Sequence, residues 1–319
     1  MNDETLLRTA SSCRHYAMCK IDYLGTGLCA SGPERGFVLF YPQGRMDLYR
    51  ALARGDIPMT PAALEAADSC SLCGICDKQC YFTTGLRPVA VMRGLKDLAA
   101  RFRASGGAPA PVADDDFLAE LRAITGAPFA TNDPAVLVTY SHDPCPVAVP
   151  TMPRYAAVPG SEPEVAAIVK LCNEHAMPYA VRGNGSSVMG FVMSDGLVVD
   201  LARMKAIEID RDNWCARVGP GVSAFELQQA ASRQGFRANV AEPAALVCAN
   251  VMCSGIFSTF SAAYGTNADN IVTARFVGRD GGTFSLHEPA APNLYGYRKQ
   301  DAGLPGICVN ASVKLHPVT

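Results

Sequence analysis

The spacing of apolar and polar positions divides the chain into two kinds of pattern. Between Pro88 and Arg103, Val91, Leu95, Leu98 and Phe102 recur at helical spacing, which predicts an amphipathic helix. Upstream, the run from Pro42 to Leu52 reads as a loop entering a short helix that ends near Gly55. Thr60-Pro61 opens another helix, with threonine as cap and proline at the first helical position. A further helix is expected from Asp116 to Thr125, its acidic start favoured by the helix dipole. From Ser161 onward, helices alternate with strands. Ser161-Glu-Pro-Glu164 is a capping box ahead of one apolar face made by Val165, Ile168, Val169 and Cys172. Pro178–Val181 and Gly196–Leu201 are predicted strands, and Ser223-Ala-Phe-Glu226 caps a helix that stops at Gly235. The pattern is that of an α+β protein.

Residues 104–116 are small residues, two prolines and then an acidic run, the composition of a linker. They divide a helical N-terminal domain, 1–103, from an α+β domain, 117–319. A chain of 319 residues has room for one large and one smaller domain. A net charge of -2 gives no reason to expect nucleic acid or an anionic membrane as partner. No apolar stretch is long enough to span a bilayer, and the polar Met1-Asn-Asp-Glu start does not resemble an export signal. Thirteen cysteines in such a chain argue for metal or redox chemistry in a reducing compartment. The expected location is therefore the cytoplasm, or its face of a membrane through a partner.

Seven of the cysteines fall within the first eighty residues. Cys70, Cys73, Cys76 and Cys80 follow the spacing C-x2-C-x2-C-x3-C, the run that wraps a 4Fe–4S cluster. Thiolates two residues apart converge on the iron corners when the backbone curls, and Gly74 supplies the freedom in φ. The fourth thiolate is thrown onward and ligates the other cluster where there are two. Zinc is the rival reading, although its sites usually pair two separated C-x2-C units. Tyr81 stands where a proline usually follows the run. Cys13, Cys19 and Cys29 form a damaged second copy, with Tyr16 and Tyr23 where a second and a fourth cysteine would fall. They are expected to make a second cluster with Cys80, or to be buried small side chains. Cys145, followed by Pro146, is a candidate for a missing ligand, or, lying beyond the linker, a packing cysteine of the flavin domain.

Between the two cysteine groups lies Gly44-Arg45-Met-Asp-Leu-Tyr-Arg50-Ala51-Leu52. With its flanking cysteines it resembles the two-cluster, helical ferredoxin-like domains of respiratory lactate and glycolate dehydrogenases and heterodisulfide reductases. The resemblance covers roughly the first hundred residues. It implies one 4Fe–4S cluster, and a second if the damaged motif still binds.

Arg182-Gly183-Asn184-Gly185-Ser186-Ser187, running on to Gly190, joins a strand to a loop rich in glycine and hydroxyls. Glycines let backbone N–H groups turn inward into an anion-binding nest, and the hydroxyls add donors. The segments flanking this loop match a family in order: Tyr140–Asp143, Ala157-Val158-Pro159 with Glu164-Val165, and Val199-Asp200-Leu201 ahead of Met204. Further along come Val218-Gly219-Pro220-Gly221-Val222, Ser254-Gly255, Tyr264-Gly265, Asp269-Asn270, Gly303, Gly306 and Leu315–Pro317. From Pro150 to Pro317 the chain thus resembles the p-cresol methylhydroxylase (PCMH)-type FAD-binding domain of the vanillyl-alcohol oxidase superfamily. The resemblance implies FAD, its pyrophosphate on Arg182 to Gly190. Further contacts are implied from Pro220, Gly221, Val222, Ser254, Gly255, Tyr264, Gly265 and Asp269. Ser186 occupies the place where a histidine often carries covalent FAD, so the flavin should be noncovalent. Leu246-Val247 replaces a pair of glycines expected ahead of Ser254.

Related 2-hydroxy acid dehydrogenases place a C-terminal substrate cap after this domain, and here no cap is expected. The five histidines are scattered without ligand spacing, so no catalytic residue is named. The expectation is a flavin and iron–sulfur electron-transfer subunit of a multisubunit 2-hydroxy acid dehydrogenase. Its partners would be other subunits of the complex and a one-electron acceptor protein or quinone-linked partner. The alternatives are a complete dehydrogenase whose pocket a partner chain or homodimer finishes, and a flavin-free structural subunit.

Overall fold

The helix Pro42–Arg54 carries buried residues on nearly every side: Gln43, Arg45, Met46, Asp47, Leu48, Tyr49 and Ala51 are all covered. A helix buried all round sits inside a core. Its entry is tight: a Cβ on Gly44 would lie 2.1 Å from the carbonyl oxygen of Val38. Its end is set by Gly55, left-handed at φ +75°, whose N–H closes back on Ala51 and Leu52. The computed structural model that shows this describes residues 3–188, 190–239, 242–252, 258–266, 268–287 and 306–318.

Two compact units are present, Met1–Val158 with Pro178–Val199, and Pro159–Met177 with Asp200–Thr319. In the first, Asp3–Ser11, Pro61–Asp68, Ile75–Thr84 and Pro88–Ala104 are helices beside Pro42–Arg54. Thr60 Oγ1 accepts from the Ala63 N–H at 3.2 Å and caps Pro61–Asp68 as its sequence requires. A four-stranded sheet belongs to the same unit: β1 (Ala130–Thr131), β2 (Tyr155–Ala157), β3 (Tyr179–Arg182) and β4 (Leu197–Asp200), in the order β1-β2-β4-β3. β1 and β2 are antiparallel, and β2 and β4 parallel. Helices and sheet share one apolar core, with Leu39, Met46, Leu48, Val91 and Leu95 clustered with Val136, Tyr140, Ala156 and Val198.

The stretch 104–116, linker-like in composition, is tied down inside this unit. The Ala110 N–H donates to Met59 O at 2.8 Å, and Asn132 Nδ2 donates to Ala113 O at 2.7 Å. Asp115 caps the helix Asp116–Thr125 through the Leu118 N–H and also accepts from Tyr155 Oη at 2.6 Å.

The second unit pairs six strands: β5 (Ile207–Asp210), β6 (Cys215–Val218), β7 (Phe236–Ala238), β8 (Ile271–Val277), β9 (Thr283–His287) and β10 (Ile307–Pro317). Their order is β5-β6-β10-β8-β9, with β7 also on β10, all antiparallel. The helices Glu162–Glu174 and Ala224–Ser232 start at Ser161 and Ser223, and Ser223 with Glu226 completes a capping box. No helix among the described residues is long and apolar enough to cross a membrane.

Gly44→Ala forces a methyl group onto the Val38 backbone, an overpacking that costs about 1–3 kcal/mol. Urea unfolding of the variant should show a lower midpoint with the same slope. An unchanged midpoint would contradict the close approach.

Candidate functional site

The cysteines gather around two recesses of the first unit. Cys70, Leu72 and Gly74 form a curled loop, with Leu72 at φ +56° and Gly74 at φ +84°, and the helix Ile75–Thr84 follows. Nothing lies within 4 Å of a Cβ placed on Gly74, so glycine is needed there for its backbone angle and not for space. One recess, of about 440 Å³ including open solvent, is lined by Cys29, Cys70, Cys73 and Cys76 with Ser31, Arg45 and Ser69. The other, of about 480 Å³ on the same measure, is lined by Cys13, Cys19 and Cys80 with His15, Tyr16 and Gln43. Cys76 and Cys80 are one turn apart on one helix and line different recesses.

Cys29 departs from its expected place. Sequence reasoning grouped it with Cys13, Cys19 and Cys80, whereas it lines the recess of Cys70, Cys73 and Cys76. The reason is Arg45. This fully buried guanidinium donates through Nη2 to Ser31 Oγ at 2.7 Å and Ser69 Oγ at 2.9 Å, joining the Cys29 and Cys70 loops. Its Nη1 donates to Phe40 O at 2.6 Å and reaches Cys29 Sγ at 3.5 Å. Cys145 lines neither recess; its Sγ lies 3.8 Å from a Cβ placed on Gly190.

All twelve described cysteines are free thiols, and Cys253 lies outside the described residues. No three His, Cys, Asp or Glu side chains among the described residues are arranged to hold a single metal ion. Thiolates around one zinc ion sit about 2.3 Å from it. A cubane spreads its ligands over separate iron corners, so thiols around a recess fit a cluster better than one ion. Burial pushes the Cys13 and Cys76 thiols well up, with Asp47 adding to the effect at Cys13 and Asp77 at Cys76. Burial also raises Cys19 to about 11, against the opposing pull of the Gln43 backbone amide and Lys20. Without metal these thiols keep their protons, and binding iron would expel them.

A chain of polar contacts leads from the second recess to the glycine-rich loop. The His15 Nε2 donates to Asp47 at 2.9 and 3.1 Å, and Arg50 pairs with Asp47 at 3.2 Å. Burial alone would raise the Asp47 pKa, but His15 and Arg50 outweigh it and hold it low. Arg50 also reaches the His142 ring at 3.2 Å, and the carbonyl of His142 accepts from Arg182 Nη1 at 3.1 Å. Burial, and then Arg50, hold His142 below its ordinary pKa.

Arg182 ends β3 with no exposed surface, its guanidinium 5.3 Å from the centre of the Tyr140 ring. Its Nε and Nη2 have no hydrogen-bond partner among the described residues. Gly185 (φ +74°) lies against it: a Cβ there would come within 2.2 Å of Nη2. Asn184 is buried, Gly183, Ser186 and Ser187 are half-buried, and Gly190 is again left-handed at φ +76°. Unpaired cationic donors beside a glycine loop fit an anion such as a pyrophosphate.

The remaining candidate residues belong to the second unit. At Val218–Val222 the turn is closely packed, with a Cβ on Gly221 falling 2.6 Å from Ala202 O. The Gly219, Gly221 and Val222 amides donate to Ala206, Met204 and Gly219 carbonyls, so these N–H groups are occupied within the protein. Tyr264 stacks on His316 at 3.8 Å, and His316 Nε2 meets Asn270 Oδ1 at 2.7 Å. Asn239 donates to Gly265 O at 2.9 Å, and Asp269 accepts from the Thr266 N–H at 2.8 Å. Ser254 and Gly255 lie outside the described residues. Arg45, Gln43, Asn239 and His316 line or support these places and were given no role from sequence. For Arg45 and Gln43 the available signal was their place in the helix between the cysteine groups.

A family model described as an FAD binding domain matches residues 153–287. Residues 153–287 are thus similar to an FAD binding domain. The chain is 27% identical over 168 residues to an FAD-linked oxidoreductase, fogF, of Aspergillus ruber, covering 51% of this chain and 34% of that protein. It is 27% identical over 172 residues to a D-lactate dehydrogenase of Archaeoglobus fulgidus, covering 50% and 38%. The glycolate oxidase subunit GlcD of Bacillus subtilis is 30% identical over 124 residues, covering 38% and 26%. The chain thus spans little more than a third of the length of these relatives at most. Among solved structures, an alkyldihydroxyacetonephosphate synthase has the same fold at a TM-score of 0.57 and 22% identity, covering 65% of this chain and 41% of that one. The 6-hydroxy-D-nicotine oxidase of Arthrobacter nicotinovorans shares the fold at 0.52 and 24%, covering 57% and 40%. The cysteine recesses lie outside the family match.

Gly185→Ala puts a side chain at positive φ and onto Arg182, and the backbone term alone is about 1–2 kcal/mol. FAD titration should show affinity lowered by roughly tenfold or more; wild-type affinity would mean the loop does not hold the cofactor. A second expectation concerns pH. Because the folded His142 pKa is depressed, the unfolded chain takes up its proton first as pH falls below about 6.5. Stability should therefore fall with falling pH through that window, and His142→Gln should flatten the fall. Identical pH profiles for variant and wild type would remove His142 from the account.

Proposed function

We propose that this chain is a flavin and iron–sulfur unit of an oxidoreductase complex acting on a 2-hydroxy acid of the lactate or glycolate type. The observation that carries the reading is the recess lined by Cys29, Cys70, Cys73 and Cys76, four thiols around one space in the unit that also holds the Arg182 loop. FAD takes up an electron pair together and can pass it on singly, and a 4Fe–4S cluster carries one electron at a time.

In this reading the chain's own residues bind, orient and balance charge. Arg182, buried with two unpaired donors, would meet the flavin pyrophosphate, and Gly185 leaves it the room. Ser186, in place of a histidine, leaves the flavin noncovalent. Arg45 donates toward the Cys29 sulfur and offsets part of the negative charge that ionised thiolates bring into the core. The D-lactate dehydrogenase and glycolate oxidase relatives support the substrate class. Oxidation of the hydroxy acid itself is assigned to the assembled complex. The partners in this reading are further subunits and a one-electron acceptor, in the cytoplasm or at its membrane face.

Anaerobically purified chain should contain FAD that acid precipitation releases into the supernatant. It should also hold about four iron and about four sulfide per cluster, with at least one cluster per chain. Cys73→Ser should remove the iron of the first recess and leave the flavin. Stoichiometric zinc without iron, or yellow colour retained in the acid pellet, would overturn the corresponding half of the reading.

A further inference from the structure

The two recesses differ in ligand number. Four cysteines line the first, and three, Cys13, Cys19 and Cys80, line the second. In the Cys13 run the place of a second cysteine is taken by Tyr16, which lines the second recess and is 46% exposed. His15 also lines it, but its Nε2 is held by Asp47.

Gln43 shows that the recess is built for a polar occupant. The residue is in the lining and is only 2% exposed. Neither its Oε1 nor its Nε2 has a hydrogen-bond partner among the described residues. A buried, unpaired polar group costs about 1–3 kcal/mol. A cluster removes the Nε2 share of that cost, because its inorganic sulfides accept hydrogen bonds from a carboxamide N–H.

Resting on the iron–sulfur reading above, we infer that the second recess holds a 4Fe–4S cluster bound by Cys13, Cys19 and Cys80 alone. Its fourth iron would carry no protein thiolate, since Tyr16 stands where a cysteine would, and would be released when the cluster is oxidised. The balance is simple. The resting cube holds two ferric and two ferrous irons. A one-electron oxidant such as ferricyanide takes one electron and becomes ferrocyanide, leaving three ferric irons and one ferrous. The ferrous ion departs from the open corner, and a 3Fe–4S cluster of three ferric irons remains on the three thiolates. A cluster held at all four corners by thiolates resists this loss, so the first recess keeps its iron.

The test uses the full chain with both recesses loaded anaerobically with iron and sulfide. Ferricyanide titration is followed by iron release and by electron paramagnetic resonance. The three-iron product has an odd number of d electrons and gives a signal, whereas the resting cube has an even number and is silent. The expected result is about eight iron per chain at the start, about one released on oxidation, and reversal by ferrous iron with a reductant. Tyr16→Phe should behave as wild type. Tyr16→Cys should suppress the release, and Gln43→Leu should shift the potential of the labile cluster alone. About four iron per chain, unchanged by Cys13→Ser, would show that the second recess binds no cluster; the inference then fails while the first cluster stands. About eight iron with none released would show a fourth protein ligand and overturn the inference. No iron in either recess would overturn this inference and the iron–sulfur reading together.

Discussion

The first unit depends on keeping charge inside its core paired. Helix Pro42–Arg54 buries Arg45 at 1% exposure and Asp47 at none, and an unpaired charge at such depth is costly. Each charge is answered by a different part of the chain. Arg45 gathers Ser31, Ser69 and backbone carbonyls around the Cys29 recess. Asp47 holds His15 at the edge of the Cys13 recess, and Arg50 connects Asp47 to His142 and so toward Arg182. One helix thus fixes three places where chemistry is proposed, because its polar residues must find partners on three sides.

That role could not be seen in the sequence. Arg45, Asp47 and Arg50 were given no role there beyond their place in a short helix, since buried ion pairs and surface charges look alike without the fold. Local signals survived well. Thr60, Ser161 and Ser223 cap the helices expected of them, and Gly55 ends Pro42–Arg54, because capping is decided within one turn. The spacing of the Cys70 run is local in the same way, and Cys70, Cys73 and Cys76 line one recess. The placement of Cys29 was not legible, because it depends on Arg45, sixteen residues away along the chain, and on Ser69 beyond. Several strands of the second unit, such as Cys215–Val218 and Phe236–Ala238, are too short to carry a readable period and are specified by pairing with Ile307–Pro317.

The glycine-rich loop illustrates a second limit. Its composition suggests an anion site, and the feature that supports the reading is Arg182. The residue ends a strand and is wholly buried, with Nε and Nη2 unpaired. A sequence shows that an arginine precedes the glycines. Only the structure shows that Gly185 must be glycine because the guanidinium occupies the space a side chain would need.

The same electrostatics bears on the difference between the two recesses. Every ionised thiolate adds negative charge to a medium that solvates it poorly. The first recess has Arg45 within 3.5 Å of Cys29, a cation able to offset a fourth thiolate. At the second, the Asp47 carboxylate works against ionisation of Cys13, and its neighbours His15 and Arg50 are already engaged with it. Lys20 is the buried cation that favours the Cys19 thiolate there. A fourth thiolate in place of Tyr16 would therefore enter a less favourable field than Cys29 does. Each recess has a carboxylate that works against ionisation, Asp77 at Cys76 and Asp47 at Cys13, so Arg45 is the feature that tilts the balance toward a fourth thiolate in the first.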